Sequence, residues 1–284
     1  MATKTVKVLD EVNMDIGKEP LVSVIMATFN ETPSMITGAI DSIVQQTYTN
    51  WELHILDDST KKETIAAIDA FKKDSRIGIH RFDERLGFIR ALNKGLEYSK
   101  GEYIARMDGD DFSHPDRFEK EVNYLEANKD VMVVGGQMNI MNENGQITSS
   151  RSYPTGGLWF YLFSCMRNPL AHPTIMMRRE VVDKGYRYDD SLRMSEDLDL
   201  WLRLMNDGYK LSNISDTVID YRVMDNFLEK RSSDVQREVM AQVRHKNFSK
   251  KHLIHSAFSD LSGWLFTHVP RSLINRVYNS ENKR

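Results

Sequence analysis

Residues Tyr103 to Phe118 read YIARMDGDDFSHPDRF: an apolar lead-in, three aspartates around one glycine, then a proline and an amphipathic run. Asp108, Asp110 and Asp111 each raise the cost of ionising the others unless a cation sits among them. In an extended segment Asp108 and Asp110 face the same side, and Gly109 lets the backbone turn tightly between them. Hard carboxylate oxygens so placed suit a divalent cation, Mn2+ or Mg2+, that bridges protein and diphosphate and takes up charge on a diphosphate leaving group. A solvated acidic turn would carry the same residues. An EF-hand would not: counted from Asp108, the fifth place is Phe112.

A second acid pair, Glu196-Asp197, opens the run MSEDLDLWLRLMNDG. Acids favour the first turn of any helix. A carboxylate at a cleft wall can also take the proton from a hydroxyl as it attacks. Spacing alone does not choose between these readings.

These acids need elements to hold them. LVSVIMATFN (Leu21–Asn30) starts as a nearly continuous apolar run, as an interior parallel strand does. Ile36, Ile40, Ile43 and Val44 then share a helical face. WELHILDDS is a second strand ending in acid, followed by a short helix around Ile65, Ile68 and Phe71 and a strand near IGIHRF. Ile89, Leu92 and Leu96 form the stripe of the next helix, closed by Gly101, and EYIARM is the next strand. Strands alternating with helices of this length predict a mostly parallel sheet covered on both faces. In such sheets ligands bind beyond the carboxyl ends of the strands. Thr28-Phe29-Asn30, Asp57-Asp58 and Asp108-Gly109-Asp110 are all strand ends and should line one crevice.

Beyond Asp111 the pattern changes. Ser113 can cap a helix with Pro115 in its first turn and Phe118, Val122 and Leu125 inward. VMVVGGQMNIMNENG reads as strand, glycine break, strand and turn; Ser150 to Met166 has no clear assignment. HPTIMMRREVVDKG suggests a strand and a short helix. In the next helix Ser195 caps, Leu198, Trp201, Leu202 and Met205 form one face, and Gly208 stops it. KLSNI and VIDYRV read as two strands, and SSDVQREVMAQVRHKNFSKKH as a charged helix. Trp264, Leu265, Phe266 and Val269, with Arg271, Arg276, Lys283 and Arg284, mix apolar and cationic groups as a membrane-surface segment does; a tail helix packed on its own domain reads the same.

Other devices are missing. ATFNETP after the first strand lacks the glycines of a dinucleotide fold, and no glycine-rich loop ends in Lys followed by Ser or Thr. With 38 Lys plus Arg against 41 Asp plus Glu, the net charge is -3, which excludes a general nucleic-acid binder. The single Cys165 supports neither a disulfide framework nor a zinc set. No stretch is apolar for long enough to span a bilayer, and the start lacks a signal-peptide core. The expected organisation is a lead-in over 1–20, one domain over 21–225 (21–111 for the nucleotide, 112–225 for the acceptor), and a helical tail over 226–284.

LVSVIMATFNETPSMITGAIDSIVQQTYTNWELHILDDST, GFIRALNKGLEYSKGEYIARMDGDDFSHPDRF, HPTIMMRRE and SEDLDLWLRL occur in order, and together they resemble the inverting glycosyltransferases of family 2, over roughly Leu21 to Arg222. The resemblance implies the GT-A α/β fold, a mixed and mainly parallel sheet flanked by helices. It implies a nucleotide-binding wall of Ala27, Thr28, Phe29, Asn30 and Glu31, with Asp57 and Asp58 at the base or ribose and Arg90 and Asn93 approaching the nucleotide. Asp108 and Asp110 would hold ribose, metal and diphosphate, with Asp111 an auxiliary. Asp197 would be the general base and Glu196 its neighbour. His172 and Trp201 would border the acceptor, and Arg222 the diphosphate.

Phe29 stands where many members have tyrosine, which removes a hydroxyl and keeps the stacking. The QxxRW signature of processive synthases is absent, so one sugar transfer is the better reading. The implied partners are a nucleotide-diphospho-sugar donor, expected to be a UDP-sugar, and a saccharide or lipid-linked saccharide acceptor of a bacterial capsule or lipopolysaccharide. Cytoplasmic location, contact with the inner face of the membrane through the tail, and a homodimer complete the expectations. The alternatives are a carboxylate-pair glycoside hydrolase and a nucleotide- or saccharide-binding module without catalysis.

Overall fold

The computed structural model describes residues 19–224 and 234–269. β1 (Val22–Thr28), β2 (Trp51–Asp57), β3 (Ile77–His80) and β4 (Tyr103–Asp108) form a parallel half-sheet in the order β3-β2-β1-β4. α1 (Pro33–Val44), α2 (Lys62–Asp69) and α3 (Phe88–Tyr98) connect them. Thr32 caps α1, its Oγ1 accepting the Met35 N–H, and Pro33 supplies the preset φ of the first turn. Parallel register sets Thr28 against Asp57 and Ala27 against Asp108, so the acidic strand ends are brought together by backbone pairing.

The sheet continues as β8-β6-β9-β5, with β7 on β6. Here β5 is Phe112–Ser113, β6 Val131–Met141, β7 Ile147–Arg151, β8 Met176–Arg178 and β9 Lys210–Arg222. α4 (Arg117–Ala127), α5 (Gly157–Met166), α6 (Arg179–Asp183) and α7 (Glu196–Asn206) lie between these strands; α8 (Asp234–Lys246) and α9 (Leu253–His268) follow and pack on each other, α8 also on α7 and α9 on α5. One core layer joins Val24 and Met26 to Ile36, Ile40, Phe118 and Leu125 of α1 and α4. The other joins Ile25 and Ile104 to Leu92, Leu96, Trp201 and Leu204 of α3 and α7. Adjacent residues of one strand thus feed opposite layers, as the pleat requires, and the sheet is buried on both faces. This is the mostly parallel, helix-flanked sheet that the strand and helix alternation predicts, in the GT-A-like α/β arrangement that the resemblance implies.

Several local expectations are corrected. The glycine pair does not break a strand: β6 runs through Gly135 and Gly136, with shifts of register beside them. Both are glycine because β9 lies too close for a side chain. A Cβ would fall 2.6 Å from Asn213 Oδ1 at the first and 2.5 Å from Val218 Cγ2 at the second. KLSNI and VIDYRV likewise belong to one strand, β9. Ser113 does not cap a helix; it pairs with Ile219 in β5, and α4 starts after Asp116. Ser195 precedes α7 in the left-handed region (φ 62°) with no side-chain cap. The unassigned stretch contains the end of β7 and all of α5. The expected cationic tail residues Arg271, Arg276, Lys283 and Arg284 lie outside the described residues.

The two half-sheets meet where β4 pairs with β8 over three residues, Tyr103 to Ala105. Behind this seam Arg117 and Glu121 are both fully buried, with Arg117 Nε 3.2 Å from the Glu121 carboxylate. Arg117 Nη2 donates to Arg106 O (3.0 Å) and Ile175 O (3.3 Å), so one guanidinium ties both halves from inside the core. Burial pushes the Glu121 carboxyl up to about 7, against the opposing pull of Arg117.

A second seam depends on Gly101. A Cβ there would lie 2.4 Å from Leu21 O and 2.6 Å from Ser23 N, both main-chain atoms at the entry to β1. Ser23 Oγ accepts the Gly101 N–H at 2.7 Å, so neither partner can retreat without losing this bond. Gly101→Ala is therefore expected to destabilise the fold by about 1–3 kcal/mol, the range of overpacking against a rigid core. Thermal unfolding checks this, and an unchanged melting temperature would show that the β1 entry is free to shift.

Candidate active site

Two cavities open at the carboxyl ends of the strands. The smaller, about 300 Å³, lies over the end of β1 and is lined by Ala27, Thr28, Phe29, Glu31 and Asp58 together with Asp108, Gly109 and Asp110. The larger, about 640 Å³, holds Glu196, Asp197 and His172. Phe88, Asp108 and Tyr221 line both, so the two cavities share a wall.

In the smaller cavity Phe29 is exposed, and the Arg85 guanidinium lies 3.6 Å from its ring centre. Asn30 takes a left-handed backbone (φ 63°), which asparagine tolerates better than most residues. Its Oδ1 accepts the N–H groups of Thr60 and Lys61 at 2.8 and 2.9 Å and so shapes the loop after β2. Glu31 turns back to accept the Phe29 N–H, and burial raises its carboxyl above the usual range. Asp58 accepts the N–H groups of Leu86 (3.1 Å) and Gly87 (2.7 Å), closing the loop that carries Arg85 over the cavity.

Asp108, Asp110 and Asp111 converge, each with a carboxylate oxygen within 4.8 Å of the others'. Arg106 of β4 is fully buried and grips both Asp108 oxygens in a bidentate pair. Among the described residues, Asp110 and Asp111 have no such counter-ion. Burial, with the charges of Asp108 and Glu31, pushes Asp110 up to about 7. Asp111 is raised well above the ordinary value by burial and by its two neighbours. Its Oδ1 accepts the Arg222 N–H at 2.8 Å, while its buried Oδ2 has no hydrogen-bond partner among the described residues. Excess buried negative charge, an orphaned carboxylate oxygen and an all-oxygen donor set fit a hard divalent cation.

In the larger cavity Asp197 Oδ1 accepts the Leu198 N–H (2.7 Å) and Oδ2 accepts from Asn168 Nδ2 (2.5 Å). Both carboxylate oxygens are thus held by hydrogen bonds at the N-terminal end of α7. Glu196 is buried and pushed up to about 7 by desolvation and by Asp197 beside it. His172 is held well below its ordinary pKa by burial and by Arg106. Its Nε2 meets the Tyr188 hydroxyl at 2.9 Å and its Nδ1 lies 3.6 Å from Glu196. A neutral imidazole makes that last contact a dipolar one, not an ion pair.

Five expected site residues are placed elsewhere or otherwise employed. Asp57 is turned inward, bound to Arg81 (2.7 Å), Thr28 and Ser59, and does not line the cavity. Arg90 folds back on Leu86 O. Asn93 clamps the main chain of Tyr188 through both ends of its amide (2.8 and 3.0 Å), which steadies the wall behind His172. Trp201 is core and reaches the cavity only as an edge contact to His172, 6.2 Å between centroids. Arg222 spends its guanidinium on the carbonyls of Asp110, Asn142 and Glu143, so it anchors the aspartate loop.

Arg85, Phe88, Arg106 and Tyr221 are site residues that motif reading overlooks. Arg106 had a signal: a cation inside an apolar strand needs a partner, and the residue two positions on shares its face. The other three had none.

Comparison with known proteins gives the lineage. The description "Glycosyl transferase family 2" matches residues 23–185, more than half of the chain. The chain is 36% identical over 220 residues to the putative glycosyltransferase EpsE of Bacillus subtilis, covering 75% of this chain and 77% of that one. It is 32% identical over 246 residues to the O-antigen biosynthesis glycosyltransferase WbnJ of Escherichia coli, covering 85% and 94%. It is 30% identical over 248 residues to the uncharacterized glycosyltransferase MJ1057 of Methanocaldococcus jannaschii, covering 84% of each. Among solved structures, S. aureus TarS 1-349 in complex with UDP-GlcNAc superposes with a TM-score of 0.67 at 16% identity, over 84% of this chain and 70% of that one, which is a likeness of fold. With its motifs, its sheet and these relatives in agreement, the chain belongs to glycosyl transferase family 2.

Proposed function

We propose that the protein is an inverting, non-processive glycosyltransferase that moves one sugar from a nucleotide-diphospho-sugar, a UDP-sugar, to a saccharide or lipid-linked saccharide. The shared wall of the two cavities carries this reading. A donor in the smaller cavity would present its sugar past Asp108 toward the cavity that contains Asp197. Phe29, backed by Arg85, offers a stacking face for a base. Asp108, Asp110 and Asp111 would hold Mn2+ or Mg2+, which supplies charge neutralisation for a diphosphate leaving group. Asp197 takes the proton from the acceptor hydroxyl as it attacks the anomeric carbon from the side opposite the diphosphate. Neutral His172 and the Glu196 carboxyl border that approach without adding a full cation.

Relatives named for O-antigen, amylovoran and teichuronic acid biosynthesis support a surface polysaccharide as the product. The test is a screen of nucleotide sugars with Mn2+ for acceptor-dependent release of free nucleotide. Release with one donor is expected. Cleavage of a simple glycoside without nucleotide would favour the hydrolase, and binding without turnover a non-catalytic module.

A further inference from the structure

α9 is inside out. Its small and polar residues His255, Ser256, Ser259, Ser262 and Gly263 are buried. Its large apolar residues Leu253, Ile254, Phe258, Leu261, Trp264 and Leu265 are exposed, Ile254 to 75% and Trp264 to 56%. Their spacing keeps them on one helical face. Beside it, α5 exposes Leu158, Trp159, Leu162 and Met166.

The orientation of α9 is fixed by its polar face. Ser262 bonds Cys165 O, and His255 Nε2 meets Ser164 Oγ at 2.8 Å. Arg244 of α8 donates to Ser164 O (2.8 Å) and Ser259 Oγ (2.7 Å). Gly263 lets α8 approach, since a Cβ would lie 3.1 Å from Ala241 Cα. Turning the helix to bury its apolar face would orphan these groups. Something must cover that face from outside, because so large an apolar patch is uncommon on a protein that meets only water.

We propose that α5 and α9 together dock onto an anionic lipid bilayer. Neither helix carries a lysine or arginine, and the one acid on them, Asp260, sits 3.1 Å from His245. Exposed Lys250 and Lys251 stand directly before α9. An apolar band with tryptophans and a cationic border matches the acyl boundary and phosphates of a bilayer surface. A second copy would bring the same lysines against that border.

The position of the platform adds a second argument. Phe163 and Met166 of α5 and Gly263 and Phe266 of α9 line the cavity that holds Asp197. A bilayer on the outer side of these helices would bring a membrane-anchored acceptor to that cavity. This last step rests on the transfer reading above; the docking does not.

Sedimentation of the full chain with phosphatidylcholine vesicles, with and without phosphatidylglycerol, tests the proposal. The chain is expected in the pellet with anionic vesicles. The double variant Phe258→Glu/Trp264→Glu should lose about tenfold in bound fraction while keeping its melting temperature, since both side chains are exposed. Lys250→Glu/Lys251→Glu should weaken binding to the anionic vesicles alone. Equal recovery in the supernatant with and without vesicles overturns the docking, and a dimer that the double variant dissociates would then name a second copy as the cover. Equal binding to phosphatidylcholine alone overturns the anionic specification. Vesicle binding with no turnover of any nucleotide sugar would sink the transfer reading and leave the docking standing.

Discussion

Asp197→Asn is expected to bind nucleotide sugar normally and to lose transfer by roughly 10²–10⁴-fold, the usual worth of a positioned base. The loss should fall on kcat, because proton transfer is made only in the transition state. Both Asp197 oxygens accept hydrogen bonds, from Leu198 and from Asn168. An asparagine can serve one of these and must set its own N–H group against the other. A stability loss of about 1 kcal/mol therefore accompanies the swap, far too small to explain the kinetic effect. Glu196→Gln should be milder, since Glu196 is the more buried of the pair and leans on His172. Transfer kinetics and donor affinity for the two variants decide the matter. Near-normal kcat in Asp197→Asn would remove it as base, and a severe loss in Glu196→Gln alone would reverse the order within the pair.

Asp110→Ala should abolish the part of nucleotide affinity that depends on Mn2+ or Mg2+. A loss of at least about 100-fold is expected, beyond the 10–100-fold that follows removal of a group merely supporting a ligand. Calorimetry with metal and with chelator tests this; equal affinity in both proteins would refute the assignment. The same group sets a pH dependence. Its folded-state pKa, about 7, lies above the ordinary 3.8, so the folded protein holds a proton that the unfolded chain releases. Through this group the metal-free fold loses stability as pH rises from about 4 to about 7. Metal must displace that proton, so its binding should tighten over the same interval. The metal-free melting temperature is expected to fall between about pH 4 and pH 7, more steeply in the native protein than in Asp110→Ala. Mn2+ should restore it most at the upper end.

Much of this arrangement was legible. Continuous apolar runs mark β1, β2 and β4, and the rule that ligands gather beyond strand ends places Asp58, Asp108 and Asp110 in one region from sequence alone. The convergence of Asp111 was legible as well. Close backbone approach was not: Gly135 and Gly136 look like a break until β9 is seen lying against them. Spacing also does not reveal whether a carboxylate faces solvent or core, which is why Asp57, beside Asp58, was placed at the nucleotide and is found on Arg81. The bonds of Arg222 were hidden for a related reason, since its three carbonyl partners come from two loops distant in sequence. The outward face of α9 was half visible, as an apolar and cationic mixture without a direction.

The Arg117–Glu121 pair has a bearing on how loss of function should be interpreted. Neither residue faces either cavity, yet Arg117 holds the carbonyl of Arg106, and Arg106 in turn grips Asp108. Buried ion pairs add little net stability, but deleting one member strands the other and costs about 3–5 kcal/mol. Substitutions here would therefore silence the protein as thoroughly as those at Asp110 or Asp197. A genetic screen scored on phenotype would return all four positions as one class, and only the persistence of folded protein would separate the scaffold of the aspartate loop from the loop itself.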